Sequence, residues 1–446
     1  MNRPHIHMTA LRNWINDPNG FIYYKEEYHL FYQYFPYDTQ WGTMHWGHVT
    51  SKDLLHFTHH PIALYPSKEF DKNGCFSGTA LIKDDELYLY YTGVKYLKTN
   101  EENIHKPEGD DGFEACQALI VSKDGYTFDN IHDKCRVVAP IEDLTLGHKT
   151  HTRDPKVWKY KDTYIMALGS KFKKTGAEDF VGEVLFYTSK DGKNWAYKNR
   201  SYNEKIGNMW ECPDIFDVDG RHMFIMSPEQ IMYDEKNYPS HAVYTLVEFD
   251  EETCTMHVPD TYQYIDLGLD IYAPQTTVDK DGNRILIGWM RMPKAFEHEE
   301  WIGMMTLPRV IHIQDENVMF SIPEYINNEF KKEISCDEFT LDKPVRMQAS
   351  LTAQGSINIG GYKLYVEDDK LIADRSDVFV DCDIKAVHFE TPKLHGQYDI
   401  DAYIDNGIIE VFVNKGKYVI TNVVYGLQPI ISYEHVENIS LVEMNA

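Results

Sequence analysis

The sequence is short of four things, and each shortage excludes a class. No run of about 18 apolar residues occurs in its 446, so no segment reads as a membrane-spanning helix. The first ten residues, M-N-R-P-H-I-H-M-T-A, contain no apolar signal core. Cysteines number seven (75, 116, 135, 212, 254, 336 and 382), an odd and scattered set without a C-x-x-C. That spacing fits neither a zinc site nor a disulfide framework. Basic residues are outnumbered 44 to 70 by acidic ones, for a formal net charge of −26. A polyanion repels nucleic acid and anionic membrane, so neither is expected as a partner. The expectation is a reduced, soluble, cytoplasmic protein.

Metal signatures are also missing. The 20 histidines include H-W-G-H (45–48) and a pair at 59–60, without the i, i+4 helical spacing of a metalloprotease motif, and no D-x-D-x-D-G run appears. No metal is expected.

What is plentiful is aromatic: 31 Tyr, 21 Phe and 8 Trp. Such residues suit pleated strands, and their faces suit the C–H faces of sugar rings. Self-similarity organises them. The strand type E-Y-H-L-F-Y-Q (27–33) recurs as E-L-Y-L-Y-Y-T (86–92), D-T-Y-I-M-A-L (162–168), R-H-M-F-I-M-S (221–227) and N-R-I-L-I-G-W (283–289). The second residues of these runs stand at 28, 87, 163, 222 and 284, steps of 59, 76, 59 and 62. Three copies are followed by a tight S-K-D turn at 51–53, 122–124 and 189–191, and V-E-F-D-E-E-T-C-T (247–255) reads as a worn version. Short strands in five units of this size predict a five-bladed β-propeller over 1–320. The extra length of the second unit falls in a polar loop at 95–112. After a linker at 321–333, alternating strands such as 356–366 and 408–414 predict a separate β-sandwich over 334–446.

An acidic or Gly-bearing motif precedes each unit. N-D-P-N-G (16–20), R-D-P (153–155) and E-C-P (211–213) carry Asp17, Asp154 and Glu211, and alone each reads as a plain turn or ion pair. In a propeller, however, the first strand of each blade lines the central channel, so three acids from three blades would converge at one funnel. Glu211 is out of phase, preceding its proline by two residues rather than one. A converging carboxylate cluster is costly because like charges raise each other's pKa. It becomes useful around a cation or in acid/base work, and glycoside hydrolysis needs two such groups.

N-D-P-N-G, W-G (41–42), F-S-G (76–78), R-D-P, E-C and Y-A-P-Q (272–275), in this order, closely resemble glycoside hydrolase family 32, the β-fructofuranosidases. The resemblance runs from about His5 to Arg309 and more weakly through the sandwich. It implies a retaining mechanism with Asp17 as nucleophile, Glu211 as acid and then base, and Asp154 as transition-state stabiliser. It also implies that Asn16, Gln33, Trp41, Phe76, Ser77, Arg153, Cys212, Asp270 and Tyr272 shape the fructose pocket, and that no cofactor is used. Where many bacterial members read F-Y-Q-H-N-P, this chain has F-Y-Q-Y-F-P (31–36). That departure leaves catalysis alone; Tyr34-Phe35 either alters substrate choice or merely repacks the pocket rim, and repacking is the expected case.

The expected substrate is a small carbohydrate: sucrose, sucrose 6-phosphate or a short fructo-oligosaccharide. The alternatives are an exo-acting fructan hydrolase (inulin or levan), a neighbouring propeller glycosidase for arabinose or xylose, and a sugar-binding propeller without activity. Arg291 and Lys294 are the candidate phosphate contacts. Trp14, Trp46, Trp289 and Trp301 either line the funnel or pack between blades.

Overall fold

A computed structural model describes residues 3–233 and 235–445. Five antiparallel sheets follow one another along the chain, and each starts at its innermost strand. Those strands are Asn13–Tyr24, Gly74–Lys83, Arg153–Tyr160, Trp210–Val218 and Ile271–Val278. They pack side by side in a ring around an axis, giving a five-bladed β-propeller. The recurring aromatic strands are the second strand of every blade, for example Glu27–Phe35 and Glu86–Tyr96. The S-K-D segments are the expected turns: Asp124 and Asp191 each accept two backbone N–H groups two and three residues on.

Late-chain residues close the ring. Trp301–Ile302 pair with Asn13–Trp14 of the first blade, and the Met305 N–H donates to the Met8 carbonyl. Gln275 stitches three blades at the axis: its oxygen accepts the Phe21 N–H and its amide donates to the Gly78 carbonyl, both at 3.0 Å. Gly78 can only be glycine, since a Cβ there would stand 1.9 Å from the Tyr90 carbonyl oxygen.

The N-D-P-N-G run is not a surface turn. It lies inside the twelve-residue strand Asn13–Tyr24 as two register irregularities, with Gly20 at φ 51°. The first of them recurs in all five inner strands. Register shifts fall between Ile15 and Pro18, Phe76 and Gly78, Arg153 and Lys156, Glu211 and Asp214, and Tyr272 and Gln275. In each, the inner strand carries one residue more than its partner, which is a β-bulge. The prolines at 18, 155, 213 and 274 sit in or beside these bulges, where a missing N–H costs no ladder bond.

Beyond the propeller, one continuous nine-stranded sheet folds over on itself as a sandwich. Its long strand Val345–Ile359 pairs with Asp399–Asp405 along its first half and with Tyr362–Glu367 along its second. The predicted linker is partly structured. Glu324–Asn327 form one helical turn, while Phe330–Ile334 pair with Ile431–Met444 and belong to the sandwich. An apolar seam joins the domains, with Phe216, Met290, Leu307 and Phe320 against Tyr403, Phe412 and Val419. No helix among the described residues is long and apolar enough to cross a membrane, and all seven cysteines are free.

Candidate active site

The five bulges coincide at one end of the axis and set two rows of side chains. The inner row is Asp17, Ser77, Asp154, Cys212 and Ala273; the outer row is Asn16, Phe76, Arg153, Glu211 and Tyr272. The phase mismatch of Glu211 is thereby explained: it belongs to the outer row with Arg153, and Cys212 holds the ladder position that Asp154 holds in blade three. Asp154, Cys212 and Ala273 adopt φ of 64°, 47° and 48°, a left-handed conformation costly for residues other than glycine.

The outer row, with Asp17, Ser77 and Asp154 of the inner one, borders a cavity of about 730 Å³. Asp17 accepts from Ser77 Oγ at 2.5 Å and from the Asn16 amide at 3.1 Å, and Asn16 is itself held by Trp14 Nε1 at 2.8 Å. Cys212 links the two aspartates. Its N–H donates to Asp154 Oδ2 at 3.0 Å, and its thiol lies 3.5 Å from Asp17 and 3.6 Å from Asp154. Glu211 is held from two sides, by Arg153 Nη2 at 2.8 Å and by the Tyr272 hydroxyl at 2.5 Å.

The ionisation of these groups follows from their surroundings. Burial pushes the Asp17 carboxyl above its usual range; Ser77 opposes this and the charge of Glu211 adds to it. Burial also raises Asp154, to about 7, with Arg153 opposing and Glu211 and Asp17 reinforcing. The Cys212 thiol is driven well above its ordinary value by burial and by the same carboxylates, so it stays a neutral donor.

Most residues singled out in the sequence meet here. Asn16, Asp17, Gln33, Trp41, Phe76, Ser77, Arg153, Asp154, Glu211 and Tyr272 all line the cavity. Cys212 lies just beneath, between the aspartates. Asp270 does not reach it: it is buried at the domain seam, paired with Arg375 at 2.5 and 3.1 Å and accepting the Val423 N–H. Arg291 and Lys294 are also elsewhere. Arg291 donates to the carbonyls of Leu269, Asp270 and Ser240, and Lys294 to that of Asp381. Among the tryptophans, Trp14 and Trp289 line the cavity, edge-to-face at 5.8 Å, while Trp46 and Trp301 are buried.

Sequence reasoning missed part of the wall. The polar loop of blade two brings Lys106, Pro107, Gly109 and Asp110 to the cavity; Lys171, Glu229 and Gln230 come from blades three and four. The loop is pinned at two points. His105 stacks edge-on against Phe35 at 4.9 Å and bonds Thr43, and Asp111 accepts from His151 Nε2 at 3.0 Å. Tyr34 and Phe35, the departure in F-Y-Q-Y-F-P, thus repack the rim and leave the cavity to others. The signal for Glu229 was present: it lies two residues past Ser227, the ladder partner of Glu211.

Asp111, His148 and His151 bring donor atoms within 4.8 Å of one another. Their hydrogen bonds disfavour a metal. His151 Nδ1 accepts from Arg153, and His148 Nδ1 accepts the N–H groups of Thr150 and His151. Both rings therefore carry their proton on Nε2, the atom that faces Asp111, and neither offers a lone pair there. Burial, with Lys171 and Arg153 nearby, holds His148 down at about 4.

Comparison with known proteins places this geometry. The family model for the glycosyl hydrolases family 32 N-terminal domain matches residues 7–323, and that for the family 32 C-terminal region matches residues 357–445. The sucrose-6-phosphate hydrolase of Bacillus subtilis is 32% identical, spanning 94% of this chain and 88% of the relative. That of Escherichia coli is 30% identical over 95% and 89%. Among solved structures, the family 32 β-fructofuranosidase of Bombyx mori superposes with a TM-score of 0.83 at 29% identity, covering 99% of this chain and 94% of that one. With both domains matched and this fold shared end to end, the chain belongs to glycosyl hydrolase family 32 and is a β-fructofuranosidase.

Proposed function

We propose that Asp17, Asp154 and Glu211 carry out the hydrolysis of a terminal β-D-fructofuranoside with retention, and that the substrate is a small one, sucrose 6-phosphate or sucrose. The observation that carries this reading is the convergence of three carboxyls from three blades at one cavity. Asp17 attacks C2 of the fructosyl unit while Glu211 protonates the departing glycosidic oxygen. The fructosyl-enzyme ester is then opened by a water whose proton returns to Glu211. Asp154 accepts fructose hydroxyls, whose hydrogen bonds strengthen as positive charge grows at C2. Trp41 and Phe76, edge-to-face at 5.7 Å, supply apolar surface for the ring.

The names of the relatives favour the phosphorylated sugar, and two amines on the cavity wall suit it. Lys106 is exposed on the loop of blade two; Lys171 is half-buried over the Phe180 ring at 4.6 Å. A phosphorylated substrate also accords with a cytoplasmic enzyme. The test is kcat/KM for sucrose, sucrose 6-phosphate, 1-kestose and inulin side by side, with Asp17→Asn as the blank. The expected result is a preference for the phosphorylated sugar of more than about tenfold, worth about 1.4 kcal/mol. Asp17→Asn is expected to lower turnover by roughly 10⁴-fold or more while sugar binding persists. Preference for kestose or inulin would instead assign a fructan chain-end hydrolase. Absence of turnover on all four would overturn the reading.

A further inference from the structure

Glu229 has no part in the chemistry set out above, yet it lines the cavity and reaches the same nitrogen as Glu211. Arg153 Nη2 donates to Glu211 at 2.8 Å and to Glu229 at 3.2 Å. Two oxygens bound to one nitrogen lie within about 6 Å of each other, a range in which carboxylates couple. The backbone fixes the pair: Glu211 and Glu229 sit on one hairpin, and the Glu229 N–H donates to the Met209 carbonyl at 2.9 Å. Arg153 is fixed in turn, since its Nη1 donates to His151 Nδ1 at 2.9 Å and His151 is tied to Asp111.

The charges facing each member differ. Glu211 meets Arg153 and Tyr272, with Asp17, Asp154 and Cys212 on the axial side and Arg291 behind the Tyr272 ring. Glu229 meets Arg153, Lys171 of blade three and Asp110 of the loop, and burial and Glu211 both raise it. Among the described residues Arg153 is the one hydrogen-bond donor to the Glu229 side chain. A guanidinium paired with Glu211 alone would favour its ionised form, the wrong state for a group that must give up a proton.

We infer that Glu229 is a positioning residue for the reaction: by sharing Arg153 Nη2 it divides the guanidinium between two carboxyls and keeps it from pairing with the acid/base alone. This rests on the assignment of Glu211 as that acid/base. Glu229→Gln removes an anion and leaves the guanidinium to Glu211 alone, an arrangement that favours the ionised form of the acid/base. The alkaline limb of kcat/KM, which reports the free enzyme's acid, moves down.

The experiment is the pH profile of kcat/KM for sucrose in the wild type, Glu229→Gln and Glu229→Asp. The Gln variant is expected to shift the alkaline limb down by about one pH unit, giving a roughly tenfold loss at pH 8 and little below pH 5. Glu229→Asp keeps the charge and is expected to keep the wild-type limb. An aryl β-D-fructofuranoside needs little proton donation to its leaving group, so the loss at pH 8 should shrink to under about threefold. A uniform loss at every pH and for both substrates, or a limb shifted equally in Glu229→Asp, overturns the inference. Glu211→Gln separates the two layers. If it is inactive on sucrose while Glu229→Gln keeps the wild-type profile, this inference alone fails; if it retains turnover, the acid/base assignment fails as well.

Discussion

Two sets of buried charges stand in this molecule, one at the mouth of the propeller axis and one at the seam between the domains. They use the same residue types to opposite ends. At the seam, His7 donates to Asp405 at 2.9 Å and to Glu410 at 3.0 Å, Arg309 donates to Glu410 at 2.7 Å, and Arg375 closes on Asp270. Burial alone would raise the Asp405 carboxyl, but His5 and His7 hold it well below the usual range. Arg309 and His7 likewise lower the Glu410 carboxyl against its burial, and both acids outweigh burial to lift His7 to about 9. At the axis mouth one guanidinium faces Asp154, Glu211 and Glu229 together, and Asp17, Asp154 and Glu229 all rise. Paired charges hold the domains; the outnumbered ones border the cavity proposed to take the substrate.

Breaking a pair at the seam should have the largest effect on stability. Arg375→Met leaves the Asp270 carboxylate buried without its countercharge, and is expected to cost about 3–5 kcal/mol in denaturant unfolding. The KM of the folded fraction for sucrose should be unchanged, because Asp270 lies outside the cavity. A raised KM with unaltered stability would return Asp270 to the substrate.

The axis should respond with the opposite sign. A carboxyl whose folded pKa is raised opposes folding once ionised in the unfolded chain, from about pH 4 upward, and for Asp154 that opposition grows until pH reaches about 7. Asp154→Asn should therefore raise the melting temperature at pH 7 by about 2 °C or more while abolishing turnover. The gain should fade as pH falls below about 4. A lowered melting temperature at pH 7 would show that Asp154 belongs to the stabilising set.

The smallest effect sharpens the comparison through pH alone. His7 has a raised folded pKa, so its contribution is complete below about pH 6.5 and is lost as pH rises through about 9. The stability gap between the wild type and His7→Gln should be widest near pH 6 and narrow by pH 9.5. A gap independent of pH would make His7 a neutral packing residue.

The axis was far more legible in the sequence than the seam. Asp17, Asp154 and Glu211 could be found because a repeat turns linear spacing into angular spacing, so equivalent positions must share one end of one axis. Asp270 looked alike, an acid beside Y-A-P-Q, but its partner is Arg375, 105 residues on and in another domain. No periodicity connects the two. The loop holding Lys106 and Asp110 was recognisable only as polar extra length, since its direction is set by His105 on Phe35 and Asp111 on His151. The strand Phe330–Ile334 was hidden in the sequence because F-K-K-E-I is polar through its middle, and the structure sets that middle exposed at a sheet edge.

The bulges carry one further consequence. A residue opposite nothing in the ladder can change its side chain without disturbing the strand pairing on either side. At the axis mouth, positions 17, 77, 154, 212 and 273 are five such places, arranged like interchangeable bits around a common chuck. A lineage can exchange what it mounts there, acid for thiol or hydroxyl for methyl, and keep the same machine turning. The one lasting demand falls on 154, 212 and 273, whose left-handed backbone resists branched side chains. Chemistry in this architecture is thus free to drift faster than shape.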